Sequence, residues 1–261
     1  MQDLKVALVQ ANQLWEDKQG NFDNYTHLLE KCDDVDLIVL PEMFHTGFSM
    51  NAQELAEPMN NSLGIDWLKS IAKKKNAAIY TSLIIEENNQ FYNRGAFVTP
   101  KGDVISYDKR KSFGLGGEDR IFTAGTAATI VEYKGWKFNL QICYDLRFPE
   151  ICRNTIDSNH SVDYDVILYV ANWPEKRRLH WQTLLTARAI ENQSYVVGVN
   201  RVGEDGKGLP YAGDSCMVDA LGNKEMLTTF QQEIKTVILS LKELKQIRND
   251  LPFLKDRVLN N

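Results

Sequence analysis

The chain is punctuated by short apolar runs that leave no polar face. Val6-Ala7-Leu8-Val9, Leu37-Ile38-Val39-Leu40, Ala77 to Ile85, Val166 to Val170 and Tyr195 to Asn200 are all of this kind. Each is too short to be a self-sufficient helix and reads as a strand, and a strand apolar on both sides must be covered on both sides. Between these runs lie segments with helical spacing. Asn24 to Cys32 carries Tyr25, Leu28, Leu29 and Cys32, while Ile65 to Lys75 carries Ile65, Leu68, Ile71 and Ala72 behind Ser62 as N-cap. Leu179 to Glu191 adds Leu184, Leu185, Ala187 and Ile190.

Hairpins interrupt that alternation. Phe91 to Val98 and Val104 to Tyr107 surround a Pro100-Lys101-Gly102 turn, and Ala128 to Tyr133 and Trp136 to Ile142 flank Lys134-Gly135. Met217-Val218 and Val237-Ile238-Leu239 continue the strand series. Alternating strands and helices combined with hairpins predict the α/β class with mixed sheets. Two such sheets packed face to face would explain why so many strands lack a polar side. No internal repeat, low-complexity stretch or Pro/Gly/Ser linker divides the sequence, so one continuous domain over 1–261 is expected.

Composition excludes several function classes. The formal net charge is −5, which argues against a nucleic-acid or anionic-membrane partner. The Lys73-Lys74-Lys75 run reads as a solvated helix C-terminus. No stretch approaches about 18 consecutive apolar residues, so no membrane span is expected. Met1-Gln2-Asp3-Leu4-Lys5 leads into a strand without the apolar core of a signal peptide, so a cytoplasmic location is expected. There Cys32, Cys143, Cys152 and Cys216 read as free thiols. His27, His45, His160 and His180 make no metal-binding spacing, so no metal and no cofactor are expected.

Three local sites place a reactive side chain where a buried strand ends, the usual position of functional groups in open α/β sheets. In Leu40-Pro41-Glu42-Met43-Phe44, Glu42 follows an apolar run and sits between a proline and two large apolar residues. Burial there suits a carboxylate to general-base work, although a strand-end carboxylate is also an ordinary loop residue. Tyr107-Asp108-Lys109-Arg110-Lys111 is charge-dense, and alone it reads as a solvated turn. In Leu140-Gln141-Ile142-Cys143-Tyr144-Asp145-Leu146-Arg147-Phe148-Pro149-Glu150, a strand ends in cysteine and passes through a short turn toward an expected helix. That outline is a nucleophile elbow, with backbone N–H groups beside the thiol. A buried structural cysteine is the plainer alternative.

Together the three motifs, in this order, resemble the nitrilase superfamily of carbon–nitrogen hydrolases over nearly the whole chain. Tyr169-Val170-Ala171-Asn172-Trp173-Pro174, His180-Trp181-Gln182, Ala187 to Gln193 and Asn200-Arg201-Val202-Gly203 resemble its omega-amidase branch, the 2-oxoglutaramate amidases. The resemblance implies a four-layer α-β-β-α sandwich and a homodimer whose interface includes the helix after Cys143. It implies Cys143 as nucleophile, Glu42 as general base and Lys109 as the cationic residue, with Glu118 of Gly116-Gly117-Glu118-Asp119 orienting the site. Lys111 is the nearest rival of Lys109, because Lys111-Ser112-Phe113 departs from the family pattern.

The implied substrate is a small omega-amide of a keto acid, cleaved through a thioester with the Tyr144 N–H helping to hold the oxyanion. Its distant carboxylate needs a cation, best a bidentate arginine. Arg177 is the first candidate, with Arg147 and Arg201 competing; Arg147 could instead pair with Asp145 or Glu150. Trp173 is expected to wall the pocket. Two other readings remain open at this level: a non-catalytic binding member, and a redox sensor in which Cys152 resolves Cys143. The tail from Leu251 to Asn261 is left to pack on this chain or on a partner.

Overall fold

A computed structural model describes residues 3–156 and 161–257. Met1, Gln2, His160 and residues 258–261 of the tail lie outside the described residues. In chain order, the first half supplies β1 (Leu4–Gln10), α1 (Lys18–Leu29), β2 (Leu37–Val39), α2 (Ala52–Leu55), β3 (Glu57–Pro58), α3 (Leu63–Lys75), β4 (Ala78–Glu87), β5 (Gln90–Val98) and β6 (Val104–Asp108). β7 (Ile130–Tyr133), β8 (Trp136–Ile142), β9 (Val166–Ala171), α4 (Arg178–Asn192) and β10 (Tyr195–Asn200) follow. The chain then forms β11 (Val202–Glu204), β12 (Pro210–Ala212), β13 (Cys216–Val218), β14 (Lys224–Met226), β15 (Glu233–Leu239) and α5 (Leu241–Asp250).

Two large mixed sheets result. One runs β15-β1-β2-β4-β5-β6, with β3 beside β4 and with β1, β2 and β4 mutually parallel. The other runs β14-β13-β10-β9-β8-β7, with β8, β9 and β10 parallel. Side-chain alternation explains the layering. On β1, Leu4, Val6 and Leu8 join the core shared with Leu140, Ile142, Val166 and Leu168 of the other sheet. Ala7 and Val9 point the other way, into a second core with Tyr25 and Leu29 of α1 and Ile65 and Leu68 of α3. On the far sheet, Gly198 of β10 faces Trp181 and Leu185 of α4 so closely that a Cβ would meet both. Helix, sheet, sheet and helix therefore stack in four layers, as the two-sided apolar strands required.

Local signals set most boundaries. Ser62 caps α3 by accepting the Ile65 N–H at 3.0 Å, and Asn76, at φ +50°, ends it in the left-handed region. α1 begins earlier than its apolar spacing indicated, because the Asp17 side chain accepts the Gly20 N–H at 2.9 Å and starts the helix at Lys18. It also ends before Cys32. The helix expected after Cys143 is instead a pair of 3₁₀ turns, Cys143–Arg147 and Pro149–Ile151. Pro149 has no N–H to continue a helical ladder.

The described part of the tail packs on its own chain. Leu254 is buried there, and the Gln193 side-chain amide donates to the Leu251 carbonyl at 2.6 Å. The four cysteines are buried free thiols. Among the described residues, no helix is long and apolar enough to cross a membrane.

Candidate active site

Glu42, Lys109 and Cys143 come from three different strand ends, and the topology brings those ends together. Past β2, Leu40 still pairs with β4, its N–H reaching the Tyr80 carbonyl at 3.0 Å. Pro41 then interrupts the ladder, with Thr81 Oγ1 donating to its carbonyl at 2.6 Å. The chain turns at Met43, φ +46°, whose N–H donates to Ser82 Oγ at 2.9 Å. The turn leaves the Glu42 side chain fully buried. Lys109 follows β6 directly and stays anchored to β5 through its N–H on the Asn93 carbonyl, at 3.0 Å.

Cys143 is the first residue past β8 and has φ +45°, in the left-handed region that disfavours ordinary side chains. Asp145 holds this elbow. Its carboxylate accepts from the Ile142 N–H at 2.9 Å, the Tyr107 hydroxyl at 2.8 Å and the Lys111 N–H at 2.9 Å. The bend is thereby tied both to β6 and to the chain just beyond Lys109.

The charged groups interlock. Lys109 Nζ lies 2.9 Å from Glu42 Oε1 and 2.9 Å from both oxygens of Glu118. The Gly114–Gly116 turn and Gly117, at φ +81°, bring Glu118 back into the interior, where Oε2 also accepts the Phe113 N–H at 2.6 Å. Glu118 is therefore buried rather than exposed on the glycine loop. Burial alone would lower the Lys109 pKa, but Glu118 and Glu42 outweigh it and hold the ammonium above its ordinary value. Burial pushes the Cys143 thiol well up, Glu42 adds to that, and Lys109 opposes it. The resting cluster thus has two carboxylates on one ammonium beside a neutral thiol.

Asn172 connects acid and thiol. Its N–H donates to Glu42 Oε2 at 2.8 Å, its side-chain amide donates to the Glu42 carbonyl at 2.6 Å, and its carbonyl accepts from Cys143 Sγ at 3.9 Å. Cys143 opens onto a cavity of about 330 Å³, large enough for a small metabolite. Tyr144, Arg147, Trp173 and Arg177 also line it, whereas Glu42, Lys109 and Glu118, which act electrostatically on the thiol, are not among its lining residues. Trp173 is both wall and core, since it is buried and its Nε1 donates to the Arg177 carbonyl at 2.8 Å.

The arginines separate clearly. Arg147 lies over Trp173 at 4.6 Å and Arg177 over Phe113 at 5.2 Å, and neither has a carboxylate partner among the described residues. Burial, and then the neighbouring Arg177, lower the Arg147 pKa, as expected for two cations sharing a cavity. The expected pairing of Arg147 with Asp145 or Glu150 does not form, because Asp145 is occupied by the elbow and Glu150 faces Lys111 at 3.7 Å. Arg201 is fully buried and bonded to Asn12, Gln13, Val202 and Glu204, which removes it as a pocket cation. Lys111 turns to Glu150 and the Phe148 ring, leaving Lys109 as the buried lysine. Asp205 also borders the cavity, but its carboxylate accepts from the Lys207 and Leu209 N–H groups and from Tyr211.

Sequence reading passed over Asn93, Asn172 and the clamping role of Asp145. Asn172 ends the buried β9 run, so the strand-end rule that found the other residues applies to it equally. Asn93 carries a different signal, a buried amide inside a strand where asparagine is disfavoured.

A carbon–nitrogen hydrolase family model matches residues 5–249. Omega-amidase YafV of Yersinia enterocolitica is 44% identical, covering 98% of this chain and 97% of the relative. A 2-oxoglutaramate amidase of Bacillus subtilis (strain 168) is 33% identical, over 85% of this chain and 84% of its own. Among solved structures, XC1258 from Xanthomonas campestris aligns with a TM-score of 0.96 and 42% identity, over 99% of this chain and 98% of that one. It is a CN-hydrolase superfamily protein with an arsenic adduct in its active site.

Proposed function

This chain belongs to the carbon–nitrogen hydrolase family and is an amidase, and we propose that it removes the terminal amide of short keto-acid omega-amides such as 2-oxoglutaramate and 2-oxosuccinamate. Cys143 is the nucleophile, Glu42 the general base and Lys109 the electrostatic partner, while Glu118 holds Lys109 in place. The observation that carries this reading is that Glu42 and Lys109, in hydrogen-bond contact, both act on a thiol that borders the cavity.

The chemistry follows from the charge balance. A thiol pushed up by burial does not ionise at rest, so its proton must move as sulfur attacks. Glu42 accepts that proton while a C–S bond forms at the amide carbon. The carbonyl oxygen becomes an oxyanion, stabilised by Lys109 and by the Tyr144 N–H in the first turn after the elbow. Collapse breaks the C–N bond, Glu42 returns the proton to nitrogen, and ammonia leaves a thioester on Cys143. Water, deprotonated by Glu42, then attacks the thioester, releasing the acid and restoring the thiol.

Substrate choice rests on Arg147 and Arg177. Two guanidinium groups held by aromatic faces in one cavity, without carboxylate partners, favour a substrate that brings its own carboxylate. The relatives named as omega-amidase and 2-oxoglutaramate amidase support the same class. The test is ammonia release from 2-oxoglutaramate and 2-oxosuccinamate by the purified chain. Turnover of both, with a KM raised about tenfold or more by Arg177→Ala, is expected. Inertness toward both, with hydrolysis of nitriles or N-carbamoyl amino acids instead, overturns the substrate assignment.

A further inference from the structure

We propose that Asn93 is a positioning residue that sets the spacing and orientation of the Glu42–Lys109–Glu118 cluster. The inference rests on the Glu42, Lys109 and Cys143 reading above. Asn93 is buried on β5, and its side-chain amide donates to Glu42 Oε1 at 2.7 Å and to Glu118 Oε1 at 3.0 Å. Its backbone carbonyl accepts the Lys109 N–H at 3.0 Å. One residue therefore touches every charged member of the cluster, both acids through its side-chain amide and the lysine through its backbone carbonyl.

The orientation of that amide follows from chemistry. Both side-chain partners are carboxylate oxygens, so only the NH₂ end can face them. Its Oδ1 is consequently buried without a donor. A buried amide acceptor left unmatched costs stability, which a purely structural asparagine would avoid by turning over. Here turning over would aim an oxygen at two carboxylates.

The effect on the cluster has a definite sign. Donors to a carboxylate favour its ionised form. Two carboxylates share one ammonium and repel each other. The Asn93 amide offsets that repulsion by placing an N–H on each acid, and so holds the Glu42 carboxylate where it can take the thiol proton. The other titratable groups acting on this cluster are Cys143, Tyr80, through Glu42, and Asp145, through Lys109. Asn93 does not itself line the cavity, so it acts on the reaction through the acids it holds.

The experiment compares the wild-type chain with Asn93→Ala and with the near-isosteric Asn93→Asp, which keeps the shape and reverses the chemistry. Two pH profiles are read on each: kcat/KM for amide hydrolysis, and alkylation of Cys143 by iodoacetamide, which needs no substrate. In Asn93→Ala, kcat is expected to fall about 10- to 100-fold with KM within about threefold, and the acid limb of kcat/KM to move up by about one pH unit. Asn93→Asp is expected to move the acid limb further and to change the pH dependence of alkylation. Acid limbs and alkylation profiles that superpose on wild type in both variants overturn the proposal, as does a loss carried wholly by KM. Inertness of wild type toward keto-acid amides would instead overturn the substrate reading, and the alkylation profiles would still decide the role of Asn93.

Discussion

Glu42 and His45 leave the same turn, yet they enter two buried charge clusters of different kinds. Around His45, burial pushes the ring below its ordinary range and keeps it neutral, stacked on Phe44 at 4.9 Å and Phe22 at 5.7 Å. Its neighbour Glu57 is met by Lys18 at 2.7 Å, the Ser62 hydroxyl at 2.6 Å and the Gly64 N–H at 2.9 Å. That cluster is one anion on one cation, placed at the N-terminus of α3, and none of it borders the cavity above Cys143. Its work is to start a helix. Around Glu42, two carboxylates share one ammonium, a neutral thiol stands beside them, and that thiol reaches open space. Buried charge is common to both regions. Imbalance combined with access distinguishes the site.

Four changes test this contrast. Cys143→Ala removes the only cluster member facing the cavity, and kcat/KM for amide hydrolysis should fall by about 10⁴-fold or more with the fold intact by circular dichroism. Retained turnover would break the comparison at its root. Glu118→Gln removes the surplus charge while keeping the shape, and kcat should drop by roughly 10²- to 10³-fold with little change in Tm.

The equivalent change in the other cluster, Glu57→Gln, should leave kcat within about threefold. It should lower stability by on the order of 2–3 kcal/mol, or about 4–10 °C in Tm, because Lys18 loses its buried partner. If the two glutamates exchange these signatures, the assignment of roles is reversed.

The smallest effect concerns Asp145. Burial, against its donors, pushes this carboxyl up to about 6. The folded chain then binds that proton more tightly than the unfolded chain, where the pKa is about 3.9, so the Asp145 contribution to stability declines as pH rises from about 4 to about 6. Asp145→Asn has no such titration. Wild-type stability minus that of the variant, from urea midpoints, should therefore fall across this window by on the order of 2 kcal/mol and level off above it. A difference that stays flat between those limits would show that Asp145 does not titrate there.

The apolar runs were legible because their cause is local. A strand covered on both faces cannot carry a polar stripe, and Val6-Ala7-Leu8-Val9 announces that without reference to any other segment. Ser62 was legible for the same reason, since a cap and its helix are neighbours in sequence. The start of α1 was harder, because Asp17 lies in polar surroundings that resemble loop. The segment after Cys143 reads as a helix in sequence but forms 3₁₀ turns, because Pro149 lacks the N–H that a continuing helical ladder needs. α5 went unread beside an uninformative tail, although Ser240, Leu241 and Leu244 bear cap and stripe.

At the site, chemistry was visible in the chain and arrangement was not. A carboxylate after Pro41, a lysine after Tyr107-Asp108 and a cysteine at the end of an apolar strand each have a plain alternative, and only their order tied them to a family. Sequence alone determined the residue types at the strand ends, the two-sheet architecture and the branch of hydrolases that the chain resembles. Tertiary structure decided which lysine is buried, that Glu118 turns inward, that Arg201 is structural while Arg147 and Arg177 face the cavity, and that Asn93 and Asn172 join the acids. The physical reason is that strand identity depends on neighbours along the chain, whereas charge balance depends on groups brought within hydrogen-bond distance from segments far apart in it.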